Sequence, residues 1–168
     1  EDSLSYGALF QWGRFADGHQ CRNSETTFTL SSTATPGNDS FIISTLIPVY
    51  DWLISVNNNL WQGVNGMNNP CPNGYRLPTN AEWEAERLSW SELTSSGAFD
   101  SPLRLTHAGQ RSGSNIIGIN QYARYWSSTT SNQVYRDSGY LGFAISGAGV
   151  DFTIGGRSSG FSVRCIRN

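Results

Sequence analysis

Hydrophobic and polar positions change their period along this chain, and each period predicts a different element. Over residues 6–16, Leu9, Trp12 and either Phe15 or Ala16 recur at helical spacing, which predicts a first helix. From residue 17 to 69 the chain is rich in Ser, Thr, Asn and Gly, with short apolar runs at 27–30 and 41–47, the pattern of long loops with brief strands. The longest apolar stretch, 41–54, is interrupted by Ser44, Thr45, Pro48 and Asp51 and reads as core strand and loop. Thr79 is followed three residues later by Glu82, the spacing of a capping box, so a second helix starts at about Asn80, with Pro78 giving a sharp entry. Glu82 and Glu84 then sit near the positive end of the helix dipole, and Trp83, Leu88 and Trp90 turn an apolar side to the core. Residues 91–97 are polar and break the regularity, and 98–105 begin a short turn or strand.

Beyond residue 122 the period becomes two, and short strands separated by glycines are expected at 125–128, 140–145, 150–154 and 161–166. Leu141, Phe143 and Ile145 alternate with Tyr140, Gly142 and Ala144, and Val150, Phe152 and Ile154 alternate with Asp151 and Thr153. In the last strand Phe161, Val163 and Cys165 share one face. Such alternation assigns one face of the sheet to the core and leaves the other free to carry any side chain. The outward set mixes Tyr, Gly, Ala, Asp and Thr, as an adaptable contact surface does, with Tyr supplying rigid area.

At 168 residues, without a linker or internal repeat, the chain is expected to form one α+β domain spanning 1–168. Its net charge is −2 and its eleven basic residues, all arginine, are spread along the sequence, which argues against non-specific nucleic-acid binding. No run approaches the roughly 18 apolar residues of a membrane span. Glu1 opens directly into domain-like sequence, so a leader or additional domain is expected to have been removed or to be absent.

The chemistry-bearing residues do not assemble into a catalytic pattern. His19 and Cys21 form a His-x-Cys pair, short of the three or four ligands of a zinc site. His107 reads as a hydrogen-bonded loop or core histidine, and Ser127 and Ser128 lack a nucleophile elbow and a base. Asp151, Asp137 and Asn132 could contribute oxygens to calcium, but no EF-hand or Glu-Pro-Asn spacing is present, so calcium stays possible and unassigned, and no other cofactor is expected. Arg76, Arg157 and Arg164 read as framework, and Trp61 and Trp126 as core.

The segment GYRLPTNAEWEAE, followed near the C-terminus by GFSVRCIR, resembles the formylglycine-generating-enzyme variety of the C-type lectin fold. More narrowly, LWQGVNGMNNPCPNGYRLPTNAEWEAE, then YWSSTT, then GFSVRC, is similar to the Fibrobacter succinogenes major paralogous domain, a binding-domain family of that fold, and YGALFQWGRFADGHQ fits its N-terminal pattern. The resemblance implies two helices and short antiparallel strands with long loops. It also implies a disulfide between Cys71 and Cys165, with Cys21 left free, and an oxidising compartment: extracellular, on a cell surface or on a virion. Two buried thiols in a cytosolic or phage-assembled protein remain the alternative. Catalytic relatives of this fold use a reactive cysteine pair with copper or a histidine triad with iron; this chain has one cysteine left over and two histidines, so a remote oxidase is the weakest expectation.

Some members of this group are variable proteins of diversity-generating retroelements, in which adenine-templated positions cluster between the YWSS and GFSVRC segments. By that resemblance Tyr122, Arg124, Tyr140, Gly142, Ala144, Asp151, Thr153, Gly155, Gly156 and Ser159 are the expected ligand-binding positions. The expected function is non-catalytic recognition of a protein or glycan ligand on a cell or virion surface, with a fixed-ligand surface domain of the same fold as the alternative.

Overall fold

Long loops dictate most of this architecture, because their backbone groups must find partners outside regular ladders. The computed structural model describes residues 3–45, 50–130, 137–144 and 151–168. In chain order the elements are a 3-10 turn at Ser3–Tyr6, β1 (Phe10–Gln11), β2 (Thr26–Thr27), β3 (Phe41–Ile42), β4 (Tyr75–Arg76), α1 (Asn80–Leu88) and α2 (Ser95–Asp100), and then β5 (Gln110–Ser112) and β6 (Asn115–Ile117). They continue with β7 (Tyr122–Thr130), β8 (Asp137–Ala144), β9 (Asp151–Gly156), β10 (Gly160–Phe161) and β11 (Ile166–Arg167). The fold is therefore α+β, mostly short strands with two helices among the described residues. No helix among the described residues is long and apolar enough to cross a membrane.

The longest strands form an antiparallel sheet in the order β7-β8-β9, and a second antiparallel sheet runs β1-β10-β5-β6. The pairing Phe10↔Phe161 brings the two ends of the chain together, and β11 pairs with β4 through Ile166↔Arg76 and Arg167↔Tyr75. Next to that pair the disulfide Cys71–Cys165 joins residues 94 apart in sequence. Closing so long a loop is worth about 4 to 5 kcal/mol in the chain-entropy account. Cys21 is free and exposed.

Both faces of the β7–β8 pair are packed. Trp126 and Tyr140 join a cluster with Trp12, Trp52, Trp61, Leu77 and Phe161, while Ala123, Tyr125, Leu141 and Phe143 join another with Trp83, Trp90, Ala98 and Leu105. Buried indoles need acceptors, and here they tie distant segments together: Trp12 Nε1 donates to Ser127 O at 2.9 Å, Trp52 Nε1 to Trp12 O at 2.7 Å, Trp83 Nε1 to Trp126 O at 3.1 Å and Trp126 Nε1 to Phe10 O at 2.7 Å. Buried arginines serve the loops in the same way. Arg14 donates to Ser40 O and Asn38 O, Arg111 to Cys21 O and Ser24 O, and Arg157, lying over the Trp12 ring, to Asn58 Oδ1 and Ser138 Oγ.

Helix α1 begins where the capping box places it: Thr79 Oγ1 accepts from Glu82 N–H, and the Glu82 carboxylate accepts from Thr79 N–H at 2.8 Å. Arg76 clamps that carboxylate with two further bonds of 2.8 and 2.6 Å. Trp83 is buried as the periodicity requires, but Leu88 is 60% exposed, and Trp90 reaches the core from beyond the helix end.

Three expectations change. Residues 6–16 are not a helix: Gly7 and Gly13 take left-handed φ of 61° and 81°, which breaks helical continuity, and β1 pairs with β10 instead. Leu9 and Trp12 are buried all the same, whereas Phe15 is 54% exposed. The second helix of the pair is α2, where a polar break and a turn or strand were expected; Thr94 caps it through Gly97 N–H. The expected strand 161–166 divides into β10 and β11, and between them Ser162 hydrogen-bonds β7 through Arg124 O and Trp126 N, both at 2.9 Å. Strands β7, β8 and β9 are longer than the alternation suggested, whereas β2 and β3, at the expected runs 27–30 and 41–47, have two residues each among the described residues. Ile145 and Val150, like residues 46–49 and Asn132, lie outside the described residues.

Candidate functional site

Register along β7, β8 and β9 fixes which of the ten expected binding positions meet. Tyr122 pairs with Ala144, Arg124 with Gly142, and Trp126 with Tyr140; across the next ladder Gly142 pairs with Asp151, Tyr140 with Thr153 and Ser138 with Gly155. Residues two apart on a strand share a face, so Tyr122, Arg124 and Trp126 form one row beside Ala144, Gly142 and Tyr140. One end of this face is closed and the other is open.

At the closed end Tyr140 is 6% exposed, edge-on to Trp126 at 6.2 Å and to Phe161 at 4.9 Å between ring centroids. Gly155 is buried beside them: a Cβ there would lie 2.8 Å from Phe161 Cε2 and 3.0 Å from Tyr140 Cε1. Tyr140, which alternation placed on the outward face, and Gly155, a binding position by the resemblance, therefore both belong to the core. Strand β10 lays Phe161 against this end of the sheet, which the sequence pattern of the strand itself does not encode. Gly156 is half-buried against Tyr50, and Ser159, whose N–H donates to Gly156 O at 2.9 Å, turns the chain beyond β9. Gly156 pairs with Asp137, so these two positions stand at the opposite end of the sheet from Tyr122.

At the open end Tyr122, Arg124, Gly142 and Ala144 are each half-buried, with Asp151 next in the Arg124–Gly142 row. The Arg124 guanidinium is shared among three rings, 5.7 Å from Tyr122, 5.0 Å from Tyr140 and 5.4 Å from Phe161. A cation held over aromatic faces gains electrostatic attraction while keeping its edge N–H groups. Tyr122 packs over Gly118, where any Cβ would run into the ring, and burial pushes its phenol above the ordinary value against the opposing pull of Arg124. Ser95 Oγ, on α2, donates to the carbonyl of Ala144 and holds the β8 end in place. That contact had no sequence signal, because α2 itself was not expected.

The other candidate groups are engaged structurally. His19 is buried; its Nδ1 lies 2.6 Å from Asp17 Oδ1, and its Nε2 accepts from Gln11 N–H at 3.1 Å. This arrangement uses both ring nitrogens, while Cys21 is exposed. Burial first, and then the Arg14 and Arg111 charges, hold His19 below its ordinary value, although the Asp17 hydrogen bond opposes them. His107 is buried edge-on to Phe143 at 5.4 Å. Ser127 Oγ donates to Asn80 Oδ1 at 2.6 Å, and Ser128 Oγ to Pro78 O at 3.3 Å, so both hydroxyls dock β7 on the start of α1. Trp61 and Trp126 are fully buried. Arg164 donates to Leu103 O at 2.8 Å. Among the described residues no group of three or more His, Cys, Asp or Glu side chains is placed to hold a metal.

No protein-family model, no curated protein and no solved structure matches the chain.

Proposed function

We propose that this chain is a non-catalytic binding domain of the C-type lectin fold, formylglycine-generating-enzyme-like type, in which the open end of the β7–β9 face recognises a protein or glycan ligand. The observation that carries the proposal is the division of one sheet face into a closed half, with Tyr140 and Gly155 locked against Phe161, and an open half where Tyr122, Arg124, Gly142 and Ala144 are half-exposed. The closed half supplies rigidity. The open half presents side chains whose replacement leaves the core untouched, so affinity can change while the fold does not.

Two helices, short and mostly antiparallel strands and long loops are what this fold type leads one to expect, and the described residues have them, with β2–β3 a parallel pair. The Cys71–Cys165 disulfide supports work outside a reducing compartment, and on this reading the ligand lies on a cell or virion surface. In its sharper form the proposal is a variable protein of a diversity-generating retroelement, with variation directed to Tyr122, Arg124, Gly142, Ala144 and Asp151.

Sequencing independent copies of the gene with their flanking DNA tests this. Adenine-templated substitutions concentrated at those five positions, beside a near-copy repeat and a reverse transcriptase gene, are the expected result. Variation spread evenly over the surface would replace the diversified reading with that of a fixed-ligand domain. Frequent large replacements at Tyr140 or Gly155 would overturn the division of the face.

A further inference from the structure

A groove of about 480 Å³ opens between the segment after β1 and the loop leading into β4; Phe15, Asn65, Gly66, Asn73, Gly74 and the bridged Cys71 line it. Among the described residues no charged side chain lines it. Phe15 is the anomaly there. Helical spacing left either Phe15 or Ala16 on the core side, and Phe15 stands 54% exposed at the edge of a polar groove, outside both apolar clusters.

The groove wall is fixed by amides whose hydrogens are already spent. Asn68 Nδ2 donates to Gly13 O at 2.9 Å and Ala34 O at 2.8 Å, and Asn69 Nδ2 donates to Val64 O and Tyr75 O, both at 2.9 Å. Asn69 Oδ1 accepts from Cys71 N–H at 3.2 Å, which couples the wall to the disulfide. Asn65 and Asn73, by contrast, are exposed, and among the described residues their amides hold no hydrogen-bond partner.

We propose that this groove binds a neutral saccharide. A free carboxamide offers N–H donors and a carbonyl acceptor a short distance apart, matching a pair of neighbouring sugar hydroxyls. An exposed aromatic ring offers a flat apolar surface to the C–H face of a pyranose. A lining without charge gives no preference to anions or cations, and a wall pinned before binding lowers the ordering cost of recognition. The inference does not rest on the proposed sheet-face function, because the groove is built from β1-side and pre-β4 residues that take no part in β7–β9.

The test titrates isotopically labelled protein with glucose, galactose, mannose, N-acetylglucosamine, lactose and cellobiose, following backbone and Asn side-chain amides by NMR. At least one sugar is expected to give saturable shifts confined to Phe15, Asn65, Asn73 and Gly74. Phe15→Ala should weaken that binding about tenfold or more, the scale of losing a single aromatic contact together with its buried area, and Phe15→Trp should retain it. Asn73→Ala should weaken it without disturbing the rest of the spectrum. Absence of saturable shifts with every sugar at about 50 mM, well above weak single-site affinities, would overturn the proposal. So would saturation mapped onto residues outside the groove, or unchanged affinity in Phe15→Ala.

Discussion

Arg124 lies over the ring of Tyr140, its guanidinium carbon 5.0 Å from the ring centroid, so a half-exposed cation covers a buried phenol. The two residues are near neighbours on one sheet face with opposite duties. Tyr140→Ala removes an aromatic ring from between Trp126 and Phe161 and should destabilise by about 3 to 5 kcal/mol. Tyr122→Ala, two residues before Arg124 on the same face, should cost about 1 kcal/mol. Urea denaturation of the two variants measures the difference, and equal losses would contradict the division of the face.

Gly155 sets a second limit on what this face can carry. A methyl group there meets Phe161 and Tyr140 at 2.8 and 3.0 Å, and both rings are held by further aromatic packing and cannot withdraw cheaply. Gly155→Ala should therefore destabilise by about 1 to 3 kcal/mol, as overpacking does. Ala144→Ser, at the open end, should be close to neutral. Thermal melts of both variants check the pair.

What the sequence made legible is local and stepwise. Thr79 and Glu82 identify the start of α1 because both partners of a capping box are written within three residues, and the alternation of Leu141 and Phe143 with Tyr140 and Gly142 identifies β8. Period two says that a strand has two faces and leaves open whether one of them is wet. Tyr140 is buried because β10, far along the chain, lays Phe161 over it. The same limit explains residues 6–16: the spacing of Leu9 and Trp12 marks burial correctly, but left-handed glycines at 7 and 13 turn the segment into loop and strand. Helix α2 is not legible in the sequence, since six residues capped by Thr94, with Ala98 buried, are too short to display an apolar period. At the open end, Tyr122 and Arg124 were legible as strand positions, whereas their grouping around Tyr140 and Phe161 depends on register and long-range pairing.

The Arg76–Glu82 clamp makes a pH-dependent contribution. Two hydrogen bonds from Arg76, supported by Thr79 N–H, lower the Glu82 carboxyl from 4.5 to about 2. A carboxylate depressed on folding adds stability above its unfolded value and loses it as pH falls through the folded value. The side chain is 38% exposed, so solvent screening reduces the net contribution to about 1 kcal/mol. Glu82→Gln keeps an acceptor for the cap and removes the charge. It should be about 1 kcal/mol less stable than the parent at neutral pH, with the gap closing as pH falls from 4.5 towards 2. A gap that persists at pH 2 would assign the effect to packing.

His19 should give a slope at milder pH. In the folded chain its Nε2 accepts a backbone N–H from Gln11, which requires the neutral ring with its proton on Nδ1 facing Asp17. Burial holds its pKa below 6.5, so as pH drops past that value the unfolded chain takes up a proton that the folded chain does not, and stability falls. Asp17 continues the trend at lower pH: burial works against its charge, but the hydrogen bonds from the His19 side chain and backbone and the Arg14 charge outweigh it and hold the carboxyl below 3.8, so that its contribution too is lost in acid. Denaturation midpoints measured between neutral pH and pH 5 should decline in the parent with a slope no steeper than about 1.4 kcal/mol per pH unit for this one proton. In His19→Gln the starting stability should be lower and that part of the slope removed. If the variant keeps the full parental slope, the titration responsible lies elsewhere, and His19 acts through its hydrogen bonds and ring packing against Phe10 alone.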